Sequence, residues 1–142
     1  MVKPESELKF ELRDNLAEFL QIALAEEQAG TLETFPAETV ATVLGLNWQP
    51  VSYHVRFGDL AKQILARHEN TPIAQTVLDK VAELAANFDH AKSEPLAGLW
   101  SNTYVLRIGE RCVVYSVKPQ ERLITVYVIG HDRELRKRQP FA

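Results

Sequence analysis

Cysteine is almost absent from this chain: Cys112 is the single one in 142 residues, which excludes an internal disulfide and any cysteine-rich zinc site. A reducing cytoplasm is the expected location. Long apolar runs are missing too. None approaches the roughly 18 residues of a membrane span, and Met1-Val2-Lys3-Pro4-Glu5 leads into an acidic helix rather than a signal peptide, so no membrane partner is expected. The histidines His54, His68, His90 and His131 lack metal-ligand spacing, and no Cys or carboxylate cluster converges on them. Phosphate-binding Gly-rich loops and Ser-centred elbows are absent, as are internal repeats and low-complexity tracts. Neither a metal nor a cofactor is expected. Positive charge is scarce at the start: residues 1–50 hold three Lys/Arg (Lys3, Lys9, Arg13) against nine Asp/Glu, a net −6, whereas residues 51–142 carry a net +3. Such a division suggests mutual masking or two different partners, although uneven charge is also common in ordinary domains.

What is present is the material of one soluble domain, or one small domain with an appendage: 46% hydrophobic and 25% charged residues. Leu8, Leu12, Leu16, Phe19, Leu20, Ala23 and Leu24 recur at spacings of three and four, which predicts one amphipathic helix over 5–29 that Gly30 ends. A short helix follows from Pro36, burying Val40, Val43 and Leu44 before Gly45. Asn47-Trp48-Gln49-Pro50 reads as a turn and as the boundary between a leader, 1–50, and a domain, 51–142. Val51, Tyr53, Val55 and Phe57 alternate with Ser52, His54 and Arg56, the pattern of a half-buried strand. Two helices come next. One is capped by Asp59 and buries Leu60, Ile64 and Leu65; the other opens at Thr71-Pro72 with a stripe of Ile73, Val77, Val81, Leu84 and Phe88. Three β-rich runs at 103–108, 112–117 and 123–129, broken by Gly109-Glu110 and by Pro119-Gln120-Glu121-Arg122, predict an antiparallel meander. The expected class is α+β: a small antiparallel sheet packed against two helices, in the order βααβββ, preceded by a helical extension.

With that order in hand, residues 51–138 resemble the RelE/ParE toxin superfamily of bacterial toxin–antitoxin systems. The matching residues are Tyr53-x-Val55-x-Phe57 followed by Ala61-x-x-x-Leu65, then Leu96-x-Gly98-Leu99-Trp100 and Val105-Leu106-Arg107-Ile108-Gly109. Val113-Val114-Tyr115 and Val126-x-Val128-Ile129-Gly130-His131, with Arg133-Glu134 after it, complete the match. The resemblance implies a protein that cuts mRNA on the ribosome or, in the ParE branch, poisons DNA gyrase. It also implies an antitoxin as partner, unless residues 1–50 replace one in cis. In the RelE branch the RNA's own 2′-hydroxyl is the nucleophile. Such a reaction needs a proton acceptor, cations to hold the charge developing on phosphorus, and a donor to the leaving oxygen. Carried over position by position, the catalytic candidates are Arg107, His131 and Arg133, with Arg111 beside them, and Arg136-Lys137-Arg138 is a candidate nucleic-acid-binding segment. The chain departs from the nuclease pattern twice. Cys112 stands where an arginine precedes the Val-Val-Tyr run, with Arg111 one residue earlier and therefore on the opposite face unless a bulge intervenes. Leu135 or Arg136 stands where many members carry a tyrosine.

Plainer readings stand beside these. Arg107 and Arg111 suit solvated positions flanking a turn, His131 a strand end satisfied by backbone, and Arg136-Lys137-Arg138 a soluble tail. Cys112 suits a buried small hydrophobe, and Tyr115 and Trp100 suit the core. The acidic, amphipathic leader suits a cover over the basic rim or a dimerisation hairpin. From another functional class, residues 38–56 resemble a helix-turn-helix in which Ser52, His54 and Arg56 would face DNA. A catalytically silent binding module is the third alternative.

Overall fold

The β-branched and aromatic runs assemble into a six-stranded sheet of order β2-β3-β7-β6-β5-β4: β2 is Thr34–Pro36, β3 His54–Gly58, β4 Glu94–Pro95, β5 Thr103–Ile108, β6 Arg111–Lys118 and β7 Leu123–His131. A separate two-stranded ribbon joins β1, Lys9–Leu12, to β8, Leu135–Arg138. The helices are α1 (Asp14–Ala29), α2 (Ala37–Leu44), α3 (Asp59–Arg67) and α4 (Pro72–Ala86). This computed structural model describes residues 9–12, 14–49, 52–68, 70–86, 94–95 and 103–138, of which 9–12, 14–15, 94–95 and 134–138 are described by backbone alone.

The expected order strand, helix, helix, then three-stranded meander is found. β5 and β6 are closed by the two-residue turn Gly109-Glu110, whose first residue has φ +58, a conformation that suits glycine and matches the strand twist. Of the run 51–57 expected as a strand, residues 54–57 lie in β3, in the same sheet as the meander, whereas Ser52 and Tyr53 form a bend and residue 51 lies outside the described residues. Residues 54–57 pair with β7 in parallel, however, so the sheet is mixed rather than wholly antiparallel. The reason is connectivity: parallel neighbours need a long crossover, and α3 and α4 supply it. A strand at 54–58 also leaves the helix-turn-helix reading without its recognition helix. Arg56 is engaged inside the sheet, its Nε donating to Thr34 Oγ1 at 2.7 Å and its Nη2 to the Thr34 carbonyl at 2.9 Å.

Both faces of the sheet are covered. On one side α2, α3 and α4 bring Val40, Ala61, Leu65, Val77, Leu78 and Val81 against Phe57, Val113, Tyr115, Ile124 and Val126. On the other, α1 lays Leu16, Leu20 and Ala23 on Val105, Cys112, Val114, Tyr127 and Val128. The register of β6 against β7 slips between Val114, opposite Val128, and Tyr115, opposite Val126. Tyr127 is the extra residue of a bulge, and both Tyr127 and Val128 face α1.

Three local expectations are corrected. Residues 9–12 do not extend α1: they form β1, paired with β8, because a strand partner at the far end of the chain outweighs local helical periodicity. The helix therefore starts at Asp14. Residues 135–138 are that partner and not a tail. Val43 is 71% exposed, since the inward stripe of α2 runs through Ala37, Val40, Ala41 and the half-buried Leu44 at i, i+3, i+4 and i+7. The stripe of α4 is as expected through Ile73, Val77, Val81 and Leu84, while Phe88 and Trp100 lie outside the described residues.

Within the stripe of α1 the sheet selects. Leu20 is fully buried, and Phe19, its neighbour, is 42% exposed. Leu20→Ala is expected to cost about 2–5 kcal/mol and Phe19→Ala less than about 1 kcal/mol. Chemical denaturation of the two variants checks the difference.

Candidate functional site

The basic candidates collect at the end of the sheet where β5 turns into β6 and β7 runs out. Arg111 opens β6 and lies directly opposite His131, the last residue of β7. Arg111 shares a face with Val113 and His131 with Ile129, so both sit on the side of α4. Beyond His131 the chain enters a short 3-10 turn, Asp132–Glu134, held by the Asp132 amide donating to the Glu110 carbonyl at 2.7 Å. The turn brings two groups to one imidazole nitrogen. Asp132 Oδ1 lies 3.2 Å from His131 Nδ1, and the Arg133 amide donates to that same nitrogen at 3.3 Å. Nδ1 cannot serve both partners at once. Carrying a proton it donates to Asp132; without one it accepts from the Arg133 amide.

Arg107 is placed differently. It is exposed on β5 opposite Cys112 and shares a face with Val105, the face that α1 covers. The sheet therefore separates Arg107 from the Arg111–His131 pair. The bulge in β7 lies away from Arg111 and does not change its side. Cys112 is fully buried, with its Sγ donating to the His131 carbonyl at 3.7 Å. Arg133 is exposed beside the imidazole. Arg136, Lys137 and Arg138 stand opposite Glu11, Phe10 and Lys9 in the β1–β8 ribbon.

A second cluster is missing from the sequence reading. The Tyr127 hydroxyl donates to Glu27 Oε1 at 2.8 Å and lies 2.8 Å from Ser116 Oγ, while Lys118 Nζ is 3.9 Å from Glu27 Oε2. The available signal was the spacing 16, 20, 23, 27, which puts a carboxylate on the apolar stripe of α1, where it needs a donor. Burial, followed by the Glu27 carboxylate, pushes the Tyr127 phenol well above its ordinary value, although the Ser116 hydrogen bond works the other way.

Among solved structures, the chain is similar to the crystal structure of the toxin–antitoxin complex RelBE2 from Mycobacterium tuberculosis, at 21% identity over 60% of this chain and 97% of that chain, with a TM-score of 0.47. No family model matches the sequence, and neither does any curated protein.

The Tyr127 cluster has a pH signature. An unfolded phenol ionises near 10.0, and the folded one resists. Below that pH both states are protonated and the cluster's stabilisation is complete. Above it the unfolded state alone releases the proton, so stability falls by up to about 1.4 kcal/mol per pH unit. Tyr127→Phe is expected to cost about 1–2 kcal/mol at neutral pH and to flatten this alkaline decline. Urea midpoints measured between pH 8 and pH 11 check both.

Proposed function

We propose that this chain is a RelE/ParE-type toxin-family protein that acts on RNA, with the rim at Arg111, His131, Asp132 and Arg133 as its site. The observation that carries the reading is the cross-strand pairing of Arg111 with His131, whose ring nitrogen is flanked by Asp132 and the Arg133 amide. It stands together with the family-like motifs and the βααβββ order. In this reading Asp132 orients the imidazole through Nδ1, and Nε2 takes the proton of a 2′-hydroxyl as that oxygen attacks the adjacent phosphorus. The bond from phosphorus to the 5′-oxygen breaks, leaving a cyclic phosphate, and a proton returns to the departing oxygen. Arg111 and Arg133 hold the non-bridging oxygens, where a planar guanidinium matches two acceptors. Arg107, on the opposite face, binds the nucleic acid outside the reacting group, as does the 136–138 segment. The target is mRNA on the ribosome. An antitoxin is the expected partner, unless residues 1–50, whose α1 packs on one face of the sheet, replace it in cis.

The experiment is cleavage of mRNA on purified ribosomes, read by primer extension. His131→Ala and Arg111→Ala are each expected to lower the rate by on the order of 10²-fold, and Arg107→Ala by less than about tenfold. A 2′-deoxy substitution at the cut site should abolish cutting. Unchanged cleavage in both rim variants would place the activity elsewhere. Inhibition of gyrase supercoiling with no cleavage would support the ParE branch instead.

A further inference from the structure

Helix α1 carries two stripes, and the sheet uses one of them. Leu16, Leu20, Ala23 and Glu27 turn inward. Phe19, Ile22 and Glu26, at i, i+3 and i+7, line the other side, where Phe19 is 42% and Ile22 48% exposed. Together with Val43 they are the large apolar side chains left exposed among the described residues. They do not stand on an open surface. The loop after α1 folds back, with the amides of Thr31 and Leu32 donating to the Glu26 carbonyl at 2.9 and 3.2 Å, and it faces the start of α3. Between these walls lies a groove of about 320 Å³, with Phe19, Ile22 and Leu60 on its apolar walls, the Tyr127 ring beneath, and Glu26, Glu33 and Asp59 on its rim. Among the described residues, no Lys or Arg lines it.

We infer that this groove docks a basic amphipathic peptide segment of a partner protein, with two apolar anchors seated beside Phe19 and Ile22 and Lys or Arg side chains against Glu26, Glu33 and Asp59. Charge decides among the occupants. Three carboxylates, with no Lys or Arg among the described residues that line the groove, repel RNA and DNA phosphates and the anionic headgroups of a membrane surface, and they favour a cationic ligand. The exposed i, i+3 pair sets the second requirement, because anchors three or four residues apart on a helical segment match that spacing. The groove is separate from the Arg111–His131 rim, so docking and RNA chemistry are independent, and binding can be read without any cleavage assay.

The test uses the full chain and two fluorescein-labelled 14-residue probes, each with leucine pairs at helical spacing, one with lysines elsewhere and one with glutamates. Fluorescence anisotropy should show saturable binding of the lysine peptide, weakening steeply with salt, and at least about tenfold weaker binding of the glutamate peptide. The double variant Phe19→Ala/Ile22→Ala should weaken the lysine peptide by about tenfold or more. The charge reversal Glu26→Lys/Glu33→Lys, at two exposed positions that leave the core untouched, should do the same. Val43→Ala, removing the exposed apolar residue outside the groove, should change nothing. Absence of saturable binding, equal binding of both peptides, or indifference to both groove variants would overturn the inference. So would a concentration-dependent dimer abolished by Phe19→Ala, which would assign the groove to a second copy of this chain.

Discussion

Everything in this molecule is referred to β7. It is hydrogen-bonded on both edges, to β3 in parallel and to β6 antiparallel, and residues 124–129 along it are buried without a break. A strand buried on both faces requires a layer on each side. Helices α2, α3 and α4 supply one layer and α1 the other. The constraint reaches the glycine at the β3–α3 junction: a Cβ on Gly58 would meet the Val126 carbonyl oxygen at 3.4 Å, so the chain turns into α3 in close contact with β7.

The bulge at Tyr127 makes the second layer specific. By inserting one residue, β7 directs two consecutive side chains, Tyr127 and Val128, toward α1. The phenol then reaches Glu27 and Ser116, which fixes where α1 lies along the sheet, since a carboxylate on an apolar stripe has few places to find a donor. Residues that read as a leader are therefore part of the sandwich. Removing α1 would uncover Val105, Cys112, Val114 and Val128, a contiguous apolar face. The contact that α1 makes is apolar and completes the core, while Arg111 and His131 lie on the other face of the sheet.

The charge division of the sequence takes on a spatial meaning. The acidic residues of α1 and the following loop border a groove that no Lys or Arg lines among the described residues, while Arg111 stands opposite His131, with Arg133 two residues on, where β6 begins and β7 ends. The two surfaces suit ligands of opposite sign. One presents an imidazole held by Asp132 and the Arg133 amide with Arg111 across the strands from it, the other an apolar trough bordered by carboxylates.

Much of the fold was legible in the residues. The runs at 103–108, 112–117 and 123–129, the glycine turn and the alternation through Phe57 named the strands, because side-chain periodicity and turn chemistry are local properties. The stripe of α4 and the burial of Cys112 were legible for the same reason. The parallel pairing of β3 with β7 was not, since direction depends on how α3 and α4 cross the sheet. Nor was the fate of 9–12, which read as helix and became a strand because its partner lies more than a hundred residues away at 135–138. At the site, the sequence marked Arg107, Arg111, His131 and Arg133 by type and position. Only the register decided that Arg111 stands opposite His131 and that Arg107 lies behind the sheet, because a side chain's face depends on which residues pair across strands and on where a bulge breaks the count.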